Sequence, residues 1–111
     1  MQGRNGDGVQ LIRFGLFNMT EEIIEPGQII RPVEVYFSDD ARLLSAVFSE
    51  ALKTKPQINI APTIENNFAR LPQERMNPRS TLIYNFIVAG GTGPVDVTGE
   101  TIGHGAIKRV G

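Results

Sequence analysis

Ser80-Thr81-Leu82-Ile83-Tyr84-Asn85-Phe86-Ile87-Val88-Ala89 is the stretch that decides the fold. It is the longest run of β-favouring residues in the chain, and Gly90-Gly91-Thr92-Gly93-Pro94 ends it abruptly. Successive side chains of a strand point to opposite faces. Leu82, Tyr84, Phe86 and Val88 therefore share one face, and Ile83 and Ile87 share the other with Asn85 between them. A strand with one wet face alternates apolar and polar residues; this one is largely apolar on both, which predicts cover on both sides. The fold's own core supplies one cover, and further protein supplies the other.

Two other runs have related patterns. In Gln10 to Phe17, Ile12, Phe14 and Leu16 share a face, opposite Arg13 and Gly15. Leu11 and Phe17 fall on that outer face, which is apolar enough to want cover. In Gln28 to Phe37, Val33, Val35 and Phe37 alternate with Glu34 and Tyr36. Pro32 has no N–H to give a ladder, so it marks an edge strand or a bulge, with regular pairing starting after it. Gln57 to Ala61 reads as a short strand, as does Val95-Asp96-Val97. Thr98-Gly99-Glu100 reads as a turn, and Thr101 to Ile107 as an extended segment.

One helix is expected, over about 39–53. Leu43, Leu44, Val47, Phe48, Ala51 and Leu52 recur at helical spacing, with Arg42, Ser45, Ser49, Glu50 and Lys53 off the stripe. Ser38 or Asp39 is placed to cap it, and Asp39-Asp40 suits the positive end of the helix dipole. The stripe's ordinary use is to pack on the domain's own sheet. Residues 62–78 differ in kind, with three prolines and no sustained period. They read as a long loop, solvated or extended over a partner, which Phe68 and Leu71 anchor. Arg70, Arg75 and Arg79 tint it basic, and Glu65 and Glu74 offset them.

The composition narrows the function. At 111 residues the chain is one domain: a polar arm at 1–9, a β-rich core at 10–97 and a glycine-rich extension at 98–111. Eleven Lys and Arg face 12 Asp and Glu, a balance unlike a nucleic-acid binder's basic excess. With no Cys, disulfides, thiolate metal sites and thiol catalysis are out. One His builds no His-rich metal site. No apolar run reaches the roughly 20 residues of a membrane span, and the first residues carry no apolar leader. The expected setting is a cytoplasm.

No motif supplies chemistry. Gly91-Thr92-Gly93 follows a strand, but a dinucleotide fingerprint needs a third Gly where Asp96 stands, and a helix there. It reads as a flexible hairpin connection. His104 has no nucleophile or orienting group placed beside it. Asp39-Asp40 and Glu21-Glu22 form no metal cluster. Asn18-Met19-Thr20 spells a glycosylation acceptor by chance. The expectation is therefore no catalytic, cofactor-binding or metal-binding residue and no enzyme.

The cysteine-free 111-residue length, the β-rich middle, Phe86-Ile87-Val88-Ala89-Gly90-Gly91-Thr92-Gly93-Pro94 and the extended polar ends Met1–Val9 and Thr98–Gly111 resemble the small decoration proteins of tailed bacteriophage capsids. The chain is most similar in size and character to the stapling or cement proteins of short-tailed phages of the epsilon-fifteen type. The resemblance implies an antiparallel, jelly-roll-like β-sandwich with extended termini. It also implies a structural virion protein on the capsid surface, assembled in the host cytoplasm, that bridges neighbouring major capsid subunits and associates with itself. No nucleic acid, membrane or cofactor is expected. Candidate partner-contact residues are Arg4 in the arm, Leu11 and Phe17 on the first strand, Phe68 and Leu71 in the long loop, and Ile83 and Ile87 on the central strand. The alternatives are a small β-sandwich module binding carbohydrate or peptide, disfavoured by the lack of Trp and the two Tyr, and a small enzyme.

Overall fold

The computed structural model describes residues 8–56, 61–103, 105 and 106. The chain is mainly β, in two antiparallel sheets. Its strands are β1 (Val9–Phe17), β2 (Ile29–Tyr36), β3 (Arg42–Leu52), β4 (Thr63–Glu65), β5 (Phe68–Arg70), β6 (Thr81–Ala89), β7 (Asp96–Thr101) and β8 (Gly105–Ala106). One sheet has the order β1-β6-β3, the other β4-β5-β2-β7-β8. Residues 1–7 of the arm expected at 1–9, residues 57–60 of the strand expected at Gln57 to Ala61, and His104 lie outside the described residues; Ala61 is in no strand, and Val9 already belongs to β1.

The Ser80–Ala89 stretch is the central strand β6, with β1 and β3 antiparallel on either side. Its even residues Leu82, Tyr84, Phe86 and Val88 are buried, as their shared face predicts. Both sheets feed one core: Leu43, Ala46 and the β6 residues from the first, Val33, Val35, Ala69 and Leu71 from the second. Phe37, just after β2, meets Phe86 edge-on with ring centroids 5.7 Å apart, a favoured aromatic geometry. Ile12, Phe14 and Leu16 of β1 pack on this core while only partly buried.

No helix forms over 39–53. Arg42–Leu52 is an 11-residue strand paired along the whole of β6. The cause of the misreading is visible in the register. Shifts fall between Leu43 and Ser45 and again between Phe48 and Glu50. Each irregularity adds one residue to β3, so the inward side chains are Leu43, Ala46, Phe48 and Ala51, spaced three, two and three apart. Two bulges thus stretch a period of two toward a helical period. Asp39-Asp40 caps nothing. Instead the Ser38 hydroxyl donates to Asp40 Oδ1 at 2.7 Å, and Ala41 N–H donates to the Ser38 carbonyl at 2.9 Å, closing a turn.

The 62–78 segment is also more regular than a loop. β4 and β5 form a hairpin across Asn66-Asn67, with Asn66 at φ 47, a conformation Asn tolerates. The part that follows is irregular but tied down. Ile24 and Met76 exchange two backbone hydrogen bonds of 2.9 Å, and Arg75 and Arg79 pair with Glu25 and Glu21. Asn18 is the pin of that contact. It is only 2% exposed, its amide donates to the carbonyls of Glu22, Met76 and Asn77, and its Oδ1 accepts from Thr20 N–H and hydroxyl. The Asn18-Met19-Thr20 triplet is a structural turn, with the amide fully engaged.

Pro32 marks a bulge, since β2 is interior to its sheet and its register with β7 shifts between Ile29 and Glu34. The turn expected at Thr98-Gly99-Glu100 is instead the middle of β7. The connection at Gly90–Pro94 is pinned rather than flexible. Ser38 and Thr92 exchange hydrogen bonds of 2.8 and 2.7 Å. Gly91 at φ +60 leaves no room for a side chain, because a Cβ there would strike the Ser38 hydroxyl and Ala41.

Candidate functional site

The feature that stands out is the outer face of the β1-β6-β3 sheet. The register places its residues in rows: Leu11, Ile87 and Ser45; Arg13, Asn85 and Val47; Gly15, Ile83 and Glu50; Phe17, Thr81 and Leu52. Val9 begins the face next to Ala89, and the bulged Leu44 is exposed between Leu43 and Ser45. Val9, Leu11, Phe17, Leu44, Val47, Leu52 and Ile87 are all exposed, Leu11 the most at 72%. Scattered apolar residues on a surface mean nothing; a cluster on one sheet face does.

A polar bar divides this face. Arg13 on β1 and Glu50 on β3 pair at 3.3 Å across the intervening β6. That bridge passes over the outer side of β6 beside Ile83, whose β1 neighbour is the side-chain-less Gly15. Ile83 is only 8% exposed as a result. The chain therefore covers part of its second face with its own ion pair. Two apolar lobes remain, one around Leu11, Ile87, Leu44 and Val47, the other around Phe17 and Leu52.

The structure sorts the sequence-derived contact residues. Leu11, Phe17 and Ile87 lie on the exposed face. Ile83 lies beneath the ion pair. Leu71 is 2% exposed in the core, so it presents no surface, and its backbone N–H donates to the Val33 carbonyl at 2.8 Å. Phe68 sits on the other sheet. Arg4 lies outside the described residues. Sequence reading missed Leu44, Val47 and Leu52 as surface residues, because a helical stripe turned all three toward the core. Only Val47 and Phe48 in this run favour a strand, so the signal available in the sequence was slight.

Phe68 belongs to a second cluster, on β2 and β5. Its ring stacks on Tyr36 at 4.7 Å, and the Arg70 guanidinium lies 5.7 Å from its centre. The Tyr36 hydroxyl donates to Glu34 Oε1 at 2.7 Å, and Arg70 Nε donates to Oε2 at 2.9 Å. The Tyr36 hydrogen bond, with help from Arg70, holds the Glu34 carboxyl below its ordinary value. The same bond raises the Tyr36 phenol, since ionising it would set two anions together. These groups satisfy one another.

Concave features are open and polar. A cleft of about 620 Å³ is lined by Lys53, Thr54, Lys55, Arg75 and Asn77. Among the described residues no three His, Cys, Asp or Glu side chains are grouped to hold a metal, and no helix is long and apolar enough to cross a membrane. Compared with protein-family models, curated proteins and solved structures, the chain matches none.

Proposed function

We propose that this chain is a structural interaction protein that lays the outer face of its three-stranded sheet on an assembled protein shell, as a capsid decoration subunit. In this reading it bridges neighbouring major capsid subunits on the virion surface and associates with itself there, and its two sheets form a jelly-roll-like sandwich. The observation that carries it is the exposed apolar face divided by the Arg13–Glu50 pair. Flat apolar surface with a central polar pair suits a protein partner better than a small molecule, which favours a concave pocket. The shell is named by the resemblance of length, glycine-rich β exit and polar ends. Many copies, each with modest contacts, stabilise a shell collectively.

The test is to look for a major capsid gene beside the one that encodes this chain, and to co-sediment the chain with shells assembled from its product. The chain should pellet with intact shells and stay in solution with unassembled subunits. Failure to pellet with the shells contradicts the proposal. A second reading, a carbohydrate or peptide module, draws on the Tyr36–Phe68 stack with Glu34 and Arg70 beside it. It predicts a thermal shift with soluble saccharides or peptides, lost in Tyr36→Ala.

A further inference from the structure

The geometry points to β1 as a dimer seam: two copies of this chain pair antiparallel along β1, with Leu11 opposite the partner's Phe17 and Arg13 opposite the partner's Gly15. This specifies the self-association proposed above but does not rest on shell binding.

The first observation is which backbone groups are unpaired. In the β1–β6 register Gly8 faces Gly90 and Asn18 faces Ser80. Gly90 N–H donates to the Gly8 carbonyl at 3.0 Å, and Asn18 N–H to the Ser80 carbonyl at 2.9 Å. Hydrogen-bonded positions alternate along an antiparallel strand. The even-numbered residues of β1 therefore bond to β6. Leu11, Arg13, Gly15 and Phe17 turn their N–H and C=O groups to the open side, where no described strand pairs with them.

The second observation is that, among the described strand edges, this one alone lacks protection. Proteins guard edges with short strands, bulges, prolines, charges or cover. Among the described elements, β4 has three residues and β8 two. β3 carries two register shifts, and its Leu43 N–H reaches the Asn66 carbonyl at 3.5 Å. β1 runs nine residues in unbroken register, with no proline and one charge, Arg13. That charge is already paired to Glu50.

The third observation is self-complementarity. A two-fold axis makes the interface isologous, so the strand must fit its own reverse. Centred on Phe14, the pairing sets the exposed Leu11 against the partner's exposed Phe17. It also gives the Arg13 side chain the gap left by the partner's Gly15. A register one pair away, centred on Arg13, would place two arginines face to face. The Phe14-centred pairing supplies about eight backbone hydrogen bonds, two for each outward residue pair. On the inner side, the half-buried Ile12 and Leu16 face each other's copies and gain cover. The result is a six-stranded sheet whose outer face continues across the seam, its apolar lobes parted in each copy by the Arg13–Glu50 pair.

Analytical ultracentrifugation of the full chain alone tests this. The wild type should sediment as a concentration-dependent dimer. Gly15→Arg should weaken it at least about tenfold, because it faces the partner's Arg13 with a like charge. A Cβ at Gly15 meets only Thr81 Cγ2 at 3.6 Å, an ordinary contact, and circular dichroism should show this variant folded like wild type. Gly15→Glu should keep or tighten the dimer by pairing with the same arginine. A monomer at every concentration overturns the proposal. So does a dimer indifferent to Gly15→Arg, which would place the seam elsewhere. Loss of shell binding with the dimer intact would count against the proposed function alone.

Discussion

Asn18 shows how much a single side chain can hold. Its amide joins the end of β1 to the segment before β6, donating to three carbonyls from two stretches of chain. Asn18→Ala should cost about 1–3 kcal/mol, because it leaves buried carbonyls without donors. Urea denaturation, read as a lower midpoint at unchanged slope, checks it. Gly91 makes the parallel point about space. Gly91→Ala should destabilise by at least about 1–3 kcal/mol, since φ is +60 and the new Cβ strikes Ser38 and Ala41. Gly27→Ala meets nothing within 4 Å and should be close to neutral. Glu34 gives a pH signature. Its folded value lies below its ordinary 4.5, so its contribution is present above that pH and is lost as pH falls through the folded value. Tyr36, shifted up from 10.0, contributes below that pH and loses its part as pH rises through its higher folded value. Glu34→Gln should flatten the acid limb of a stability–pH curve.

At the scale of elements, β6 and β1 were legible in the sequence because their period of two is uninterrupted and their ends carry turn residues. β2 was legible too, but the sequence left open whether Pro32 marks an edge strand or a bulge, which only the neighbouring strands decide. β3 was not, because two bulges spaced its inward residues like a helix, and a bulge depends on the partner strand rather than on local sequence. The β4–β5 hairpin was missed for a related reason: three-residue strands have no period to read, and Asn66-Asn67 is a weaker turn signal than Asn-Gly. The candidate surface followed the same division. Leu11, Phe17 and Ile87 were found on strands read correctly, while Leu44, Val47 and Leu52 were hidden by the helical reading. The strand assignment makes a prediction of its own. Val47→Pro should disrupt the pairing with β6 and unfold the domain, whereas Val47→Lys, on the outer face, should fold with a stability within about 1 kcal/mol of wild type. A helix with Val47 in its buried stripe would give the opposite result for Lys.

At the scale of the molecule, one core is shared by two sheets, and one of those sheets turns an apolar face outward. The core explains β6's inner residues; the Arg13–Glu50 bridge explains Ile83. Neither explains Leu11, Ile87, Leu44 and Val47, which the fold leaves exposed together. That lobe is the surface proposed to seat on a shell. The most direct test is co-sedimentation of Ile87→Lys with assembled shells, alongside its circular dichroism and thermal unfolding. Ile87 is 36% exposed on the outer face, so the variant should fold like wild type yet stay in the supernatant. A folded Ile87→Lys that pellets with shells as fully as wild type would contradict the claim that this face is the one that binds.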